Sequence, residues 1–128
     1  RGAMEEVQAR IKAAQASNTL DLSDLGLTQL EEEWLLQCPD ISFLNLADNG
    51  LQDLPYGIYR LKRLKLLNLN NNLLGALPKS LAACPSLTRV SLEGNPFLPH
   101  DAVLKSHVGI EAFREYLLAR GKGDVPTD

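Results

Sequence analysis

Apolar residues in this chain fall in close pairs with one polar position between them: Leu20 and Leu22, Leu44 and Leu46, Leu67 and Leu69, Val90 and Leu92. The pairs follow one another at intervals of 24, 23 and 23 residues. Alternation over so few positions predicts short, half-buried strands, and its regular recurrence predicts a stack of similar units. Three positions after the pairs stand Leu25, Asn49, Asn72 and Asn95, and two further on Leu27, Leu51, Leu74 and Phe97, which the pattern places inside. The stretch "LLNLNNNLLGALP" sets Asn70, Asn71 and Asn72 side by side, where neither a helix nor a central strand favours them. At the end of each strand the chain must turn back across the interior, leaving backbone groups there without partners. An asparagine offers both a donor and an acceptor, so Asn49, Asn72 and Asn95 are expected to align as a buried structural ladder. Asn68, Asn70 and Asn71 fall on outward positions.

The units "ISFLNLADNGL", "LKLLNLNNNLL" and "LTRVSLEGNPF" share the pattern L-x-x-L-x-L-x-x-N-x-L, and "SNTLDLSDLGL" is a degenerate copy. The second halves "LQDLPYGIYRLKRL" and "LGALPKSLAACPSL" fit L-x-x-L-P-x-x-L-x-x-L. On these motifs and their period, residues 17–98 resemble the leucine-rich repeat family in its 23-residue intracellular sub-type, with about four repeats. The resemblance implies an α/β solenoid: a short right-handed arc with a parallel concave sheet of about four strands, loose turns or short helices outside, and a protein or peptide as partner. The first unit departs from the pattern. Glu31 replaces the proline, Trp34 occupies a leucine site, Leu25 replaces the asparagine, and one extra residue is present. Terminal repeats are atypical because they cover an open end.

Met4, Val7, Ile11 and Ala14 recur at helical spacing and predict a cap helix over residues 3–16, while "RGAM", residues 1–4, reads as a cloning remnant. Residues 99–121 form the expected second cap, with Ile110, Phe113 and Leu117 on one helical face and Gly121 as a stop signal. "KGDVPTD", residues 122–128, reads as a flexible tail. The stretch "GIEAFREYLLAR" resembles the G-T-E-A-I-L-x-Y-L-R tail that follows the repeats of several intracellular leucine-rich proteins, Roco-type GTPases among them, with Ile110 in place of threonine. That likeness implies a second reading, a regulatory segment of a larger signalling enzyme. With both ends covered, a monomer is expected.

Composition narrows the chemistry. A chain of 128 residues suits one domain, and with aromatics at only 5% leucine must build the core. A net charge of -3, with no basic cluster interleaved with aromatics, argues against nucleic acid. No stretch reaches the roughly 18 apolar residues of a membrane span, and no basic-then-apolar leader opens the chain, so a cytoplasmic protein is expected. Cys38 and Cys84 each stand three residues before a core position, as Leu61 does. Two coils apart, their separation is about 10 Å, beyond the reach of a disulfide, which predicts buried reduced thiols and a reducing compartment. His100 and His107 read as surface residues near the second cap. The runs Glu31–Glu33 and Arg60, Lys62, Arg63, Lys65 read as solvated faces, the second with attraction of an acidic partner as its alternative. Nothing matches a phosphate loop, a carboxylate pair or a nucleophile triad, so no catalytic, cofactor or metal site is expected.

What remains is the surface between the core leucines. Side chains alternate across a strand, so outward positions form rows: Thr19, Phe43, Leu66, Arg89; then Asp21, Asn45, Asn68, Ser91; then Ser23, Ala47, Asn70, Glu93; then Asp24, Asp48, Asn71, Gly94. Phe43 and Leu66, adjacent and outward, read either as a cross-strand pair supporting each other or, beside small polar groups, as the anatomy of a binding patch. Thr19, Asp21, Phe43, Asn45, Leu66, Asn68, Asn70, Arg89, Ser91 and Glu93 are the candidate contact residues. Four strands span only about 15 Å, a floor well short of the ~800 Å² a stable interface uses per partner. Loop edges such as Asp48 to Gln52 are therefore expected to contribute.

Overall fold

The computed structural model describes residues 2–104 and 109–127; His107 lies outside them. Strands β1 (Thr19–Asp21), β2 (Phe43–Asn45), β3 (Leu66–Asn68) and β4 (Arg89–Ser91) are parallel and stand in chain order in one sheet. Each connection crosses to the outer side and returns, which gives a short α/β solenoid arc. The central residue of each strand points inward: Leu20, Leu44 and Leu67 are buried, and Val90, on the last strand, is half-buried. One continuous leucine core runs the length of the stack.

The outer segments show why sequence controls local shape. Pro55 and Pro78, held at φ -69° and -77°, open two 3-10 turns, Tyr56–Arg60 and Lys79–Ala83. Their carbonyls accept the N–H groups of Ile58 and Leu81 at 3.2 and 3.1 Å. In the first unit Glu31 replaces the proline, an extra residue is available, and the turn becomes the helix α2 (Glu32–Leu36) with Trp34 and Leu35 buried. Leu27, Leu51 and Leu74 are buried as expected, but Phe97 is 67% exposed. The N–H of Leu98 reaches the carbonyl of Asn95 at 3.2 Å, and the turn so closed brings Leu98 inward in place of Phe97.

Helix α1 (Gly2–Ser17) covers β1 through Val7, Ile11 and Ala14. Met4, expected in that stripe, is 50% exposed. Sixteen helical residues extend about 24 Å, whereas a three-residue strand offers about 10 Å, so the first turn overhangs. Asn18, at φ 62°, ends the helix by donating its N–H to the carbonyl of Ala14 at 2.8 Å, the left-handed stop that asparagine tolerates. At the other end α3 (Ile110–Arg120) buries Phe113 and Leu117 and packs on the Lys79–Ala83 turn. Arg114, on the same helix, donates to the carbonyls of Ala82 and Leu87 at 2.6 and 3.0 Å, satisfying the open side of the last coil.

Gly121 does end α3, though not by adopting a left-handed conformation: its φ is -70°. A Cβ there would lie 2.5 Å from the carbonyl oxygen of Leu117 and 3.0 Å from the nitrogen of Lys79. That close approach lets Lys122 bridge to Pro78, donating to Leu77 and accepting from Lys79, both at 2.9 Å. The segment read as a tail thus begins with an anchored residue.

Candidate binding face

The register aligns Thr19, Phe43, Leu66 and Arg89 across the sheet, and Asp21, Asn45, Asn68 and Ser91 in the next outward row. Phe43 is half-buried and Leu66 is 41% exposed. Between them and Arg89 lies a cleft of ≈ 210 Å³, floored by Asn68 and Ser91. The apolar pair is thus presented beside a cation and small polar groups.

In the second row the side chains also work within the chain. The Oδ1 of Asn45 accepts the N–H of Ala47 at 3.1 Å, and that of Asn68 accepts the N–H of Asn70 at 3.0 Å. These local turns occupy the oxygen and leave each Nδ2 without a partner among the described residues. Asp21 makes the same turn with Ser23, through its N–H at 3.0 Å and its hydroxyl at 2.6 Å. Burial pushes the Asp21 carboxyl up, but the two bonds from Ser23 and the nearby Arg10 guanidinium outweigh it and hold the group below its ordinary value.

The outer two rows depart from a simple exposed surface. Ala47 is buried, and Asn70 uses Oδ1 to accept the N–H of Glu93 at 2.9 Å, bracing neighbouring coils. Asp24, Asp48, Asn71 and Gly94 all have φ between 57° and 75°. Aspartate, asparagine and glycine tolerate that region best, so their recurrence in one column was a readable sign of a left-handed turn after each strand. Asn71 donates through Nδ2 to Asp48 at 2.8 Å.

Behind this face lies the asparagine column. Each Nδ2 donates to a carbonyl of the preceding coil at 2.9 Å: Asn49 to Leu22, Asn72 to Leu46, Asn95 to Leu69. Each Oδ1 accepts an N–H from the preceding coil's loop: Leu27 at 2.9 Å, Leu51 at 3.0 Å and Leu74 at 3.1 Å. Leu25 leaves the first coil without such a side chain, and there Asn49 also accepts the N–H of Leu25 at 3.1 Å.

The sequence profile of the leucine-rich repeat family matches residues 44–97. The chain is built of leucine-rich repeats. It is 34% identical over 96 residues to a uridine 5'-monophosphate transferase of Xanthomonas campestris pv. campestris (strain 8004), covering 74% of this chain and 18% of that protein. It is 35% identical over 106 residues to nephrocan of Mus musculus, covering 77% of this chain and 19% of that protein. A third relative, the PH domain leucine-rich repeat-containing protein phosphatase 1 of Mus musculus, is 35% identical over 83 residues, covering 59% and 5%. The chain therefore spans a fifth or less of each of these relatives.

Two features of the repeats lay outside the sequence reading. Leu73 and Phe97 are exposed together on the loop edge beside Gln52 and Gly75. Glu32, read as part of a solvated run, accepts the N–H of Gly57 at 3.2 Å and faces Arg60 at 3.9 Å, clipping the first outer segment to the second. Cys38 and Cys84 are buried and unpaired, and burial pushes the Cys84 thiol up to about 12. His100 is exposed. Among the described residues no three His, Cys, Asp or Glu side chains gather where one metal ion could be held, and no helix is long and apolar enough to cross a membrane.

Proposed function

We propose that these repeats form a protein-binding module that holds a protein or peptide on the concave rows and the adjoining loop edge. The observation that carries this reading is the Phe43–Leu66 pair, apolar and accessible on a face whose other exposed members are polar or charged. Thr19, Asp21, Asn45, Asn68, Arg89 and Ser91 surround it, with Asn70 and Glu93 at the far end of the strands. The floor alone is smaller than a stable interface, and Leu73 with Phe97 supplies the further apolar contact the loop edge would need. No enzymatic role is assigned: both thiols are buried, and burial holds each of them in the neutral form. Buried unpaired cysteines favour a reducing compartment, hence the cytoplasm, and the covered ends of the stack favour a monomer.

A second reading, a regulatory leucine-rich segment of a larger enzyme such as a Roco-type GTPase, rests on the helix tail after the last repeat. It also draws on the length of the relatives, two of which carry enzyme names. The test of the first reading is paired affinity capture with the wild type and the Phe43→Ala/Leu66→Ala variant, quantified by mass spectrometry. A partner should be lost from the variant and kept by an outer-face control, Glu33→Ala. Identical capture by all three proteins would overturn it.

A further inference from the structure

The concave face has an electrical direction as well as an apolar spot. Lys65 and Arg89 are neighbours at the amino ends of β3 and β4, joined by the bond from the Arg89 N–H to the Lys65 carbonyl at 3.1 Å. Both are exposed, and among the described residues neither side chain meets a carboxylate. Other cations of the same run are occupied: Arg60 faces Glu32, Arg63 lies 3.8 Å from Asp40, and Lys62 sits over the Tyr59 ring at 5.1 Å. Arg89 also lines the Phe43–Leu66 cleft. At the opposite ends of the strands Asp24 and Asp48 are exposed on the left-handed turns of the first two coils. Between the cationic corner and these acids lie the amide groups of Asn45 and Asn68, each with donors to spare.

Resting on the concave-face reading above, we propose that the occupant is an extended protein segment of about seven residues, set by ~3.3 Å per residue over a ~20 Å diagonal. Its acidic first residue docks on Lys65 and Arg89. An apolar side chain two positions later fills the cleft between Phe43 and Leu66. A basic residue four positions beyond that meets Asp24 and Asp48. Only alternate side chains of an extended segment face the sheet, which is why the three anchors stand at even intervals. Main-chain carbonyls of the segment accept from the free Nδ2 groups of Asn45 and Asn68. Complementary charge then fixes the direction of the segment as well as its choice.

A displayed library of random heptapeptides, selected on the intact chain, tests this directly. The enriched sequences should carry Asp or Glu first, an apolar residue third and Lys or Arg seventh. A blocked synthetic peptide of that pattern should bind Lys65→Glu/Arg89→Glu about tenfold more weakly, and a charge-reversed peptide should bind that variant better than the wild type. Both substituted side chains are exposed, and circular dichroism of the variant should match the wild type; if it does not, Lys65→Ala serves in the same comparison. Binders that need Phe43 and Leu66 but show no charge pattern and ignore the reversal would overturn this proposal and leave the concave reading standing. Binders indifferent to Phe43→Ala/Leu66→Ala would overturn both. A selection that returns no heptapeptide binder would overturn the short-segment occupant.

Discussion

Asn72 holds Leu51 from the coil before it, accepting its N–H at 3.0 Å while donating to the carbonyl of Leu46 at 2.9 Å. Asn72 is buried and these groups have no water to turn to. Asn72→Ala should therefore cost about 3 kcal/mol or more, since it orphans a buried donor and buried acceptors together. Asn49 is only half-buried, and Asn49→Ala should cost less. Urea unfolding of the two variants checks the order; equal losses would mean that solvent access is not the controlling factor.

Arg10 donates to the edge carbonyl of Asp21 at 2.8 Å, and the Ser17 hydroxyl covers that of Thr19 at 3.2 Å, so the open side of β1 is closed by side chains. The Asp21 carboxyl lies below its ordinary value of 3.8. A depressed carboxyl stabilises fully above its unfolded pKa and loses that contribution as pH falls through the folded one. The acid limb of stability should thus contain an Asp21 component below pH 3.8, removed in Asp21→Asn. Its size should stay under about 1 kcal/mol because the pair is half exposed. Melting temperatures across the acid range are the measurement. Arg10→Ala should in addition show some self-association by sedimentation, through the uncovered strand edge.

Cys84 behaves oppositely. Burial raises its folded pKa to about 12 from 9.0, so the neutral thiol stabilises below pH 9.0 and that contribution decays as pH rises toward about 12. Neither Cys84 nor Cys38 should react with a disulfide reagent in the native protein at neutral pH, and both should react after unfolding. Rapid labelling of the folded chain would contradict the burial of these thiols.

Two glycines should differ sharply. At Gly57 a Cβ would meet the carboxylate of Glu32, the far end of a flexible side chain that can swing aside. At Gly121 it would meet the backbone of Leu117, Lys79 and Leu77. Gly57→Ala should cost about 1 kcal/mol, the worth of the one part-buried hydrogen bond to Glu32. Gly121→Ala should cost about 2 kcal/mol or more, because the bonds of Lys122 and the end of α3 must shift together. Denaturant midpoints decide.

Much of the stack could be read directly from periodicity. Leucines recurring every 23 or 24 residues define which strand positions align, and so place Phe43 beside Leu66. What escaped depended on breaks in the repeat. Phe97 occupies a leucine column, but the turn from Asn95 to Leu98 displaces it, and nothing in the pattern encodes that turn. Met4 shares the spacing of Val7 and Ile11, yet its burial depends on how far the neighbouring coil reaches. Asn70 looked free because its partner, the Glu93 N–H, comes from the next repeat. The anchoring of Lys122 requires knowing where α3 ends in space.

The asparagine column has a further consequence. Each of its amides reaches toward residues with lower numbers and none toward residues with higher ones. The bend that ends one winding is therefore completed only by the winding after it, so the array is locked from its carboxyl side.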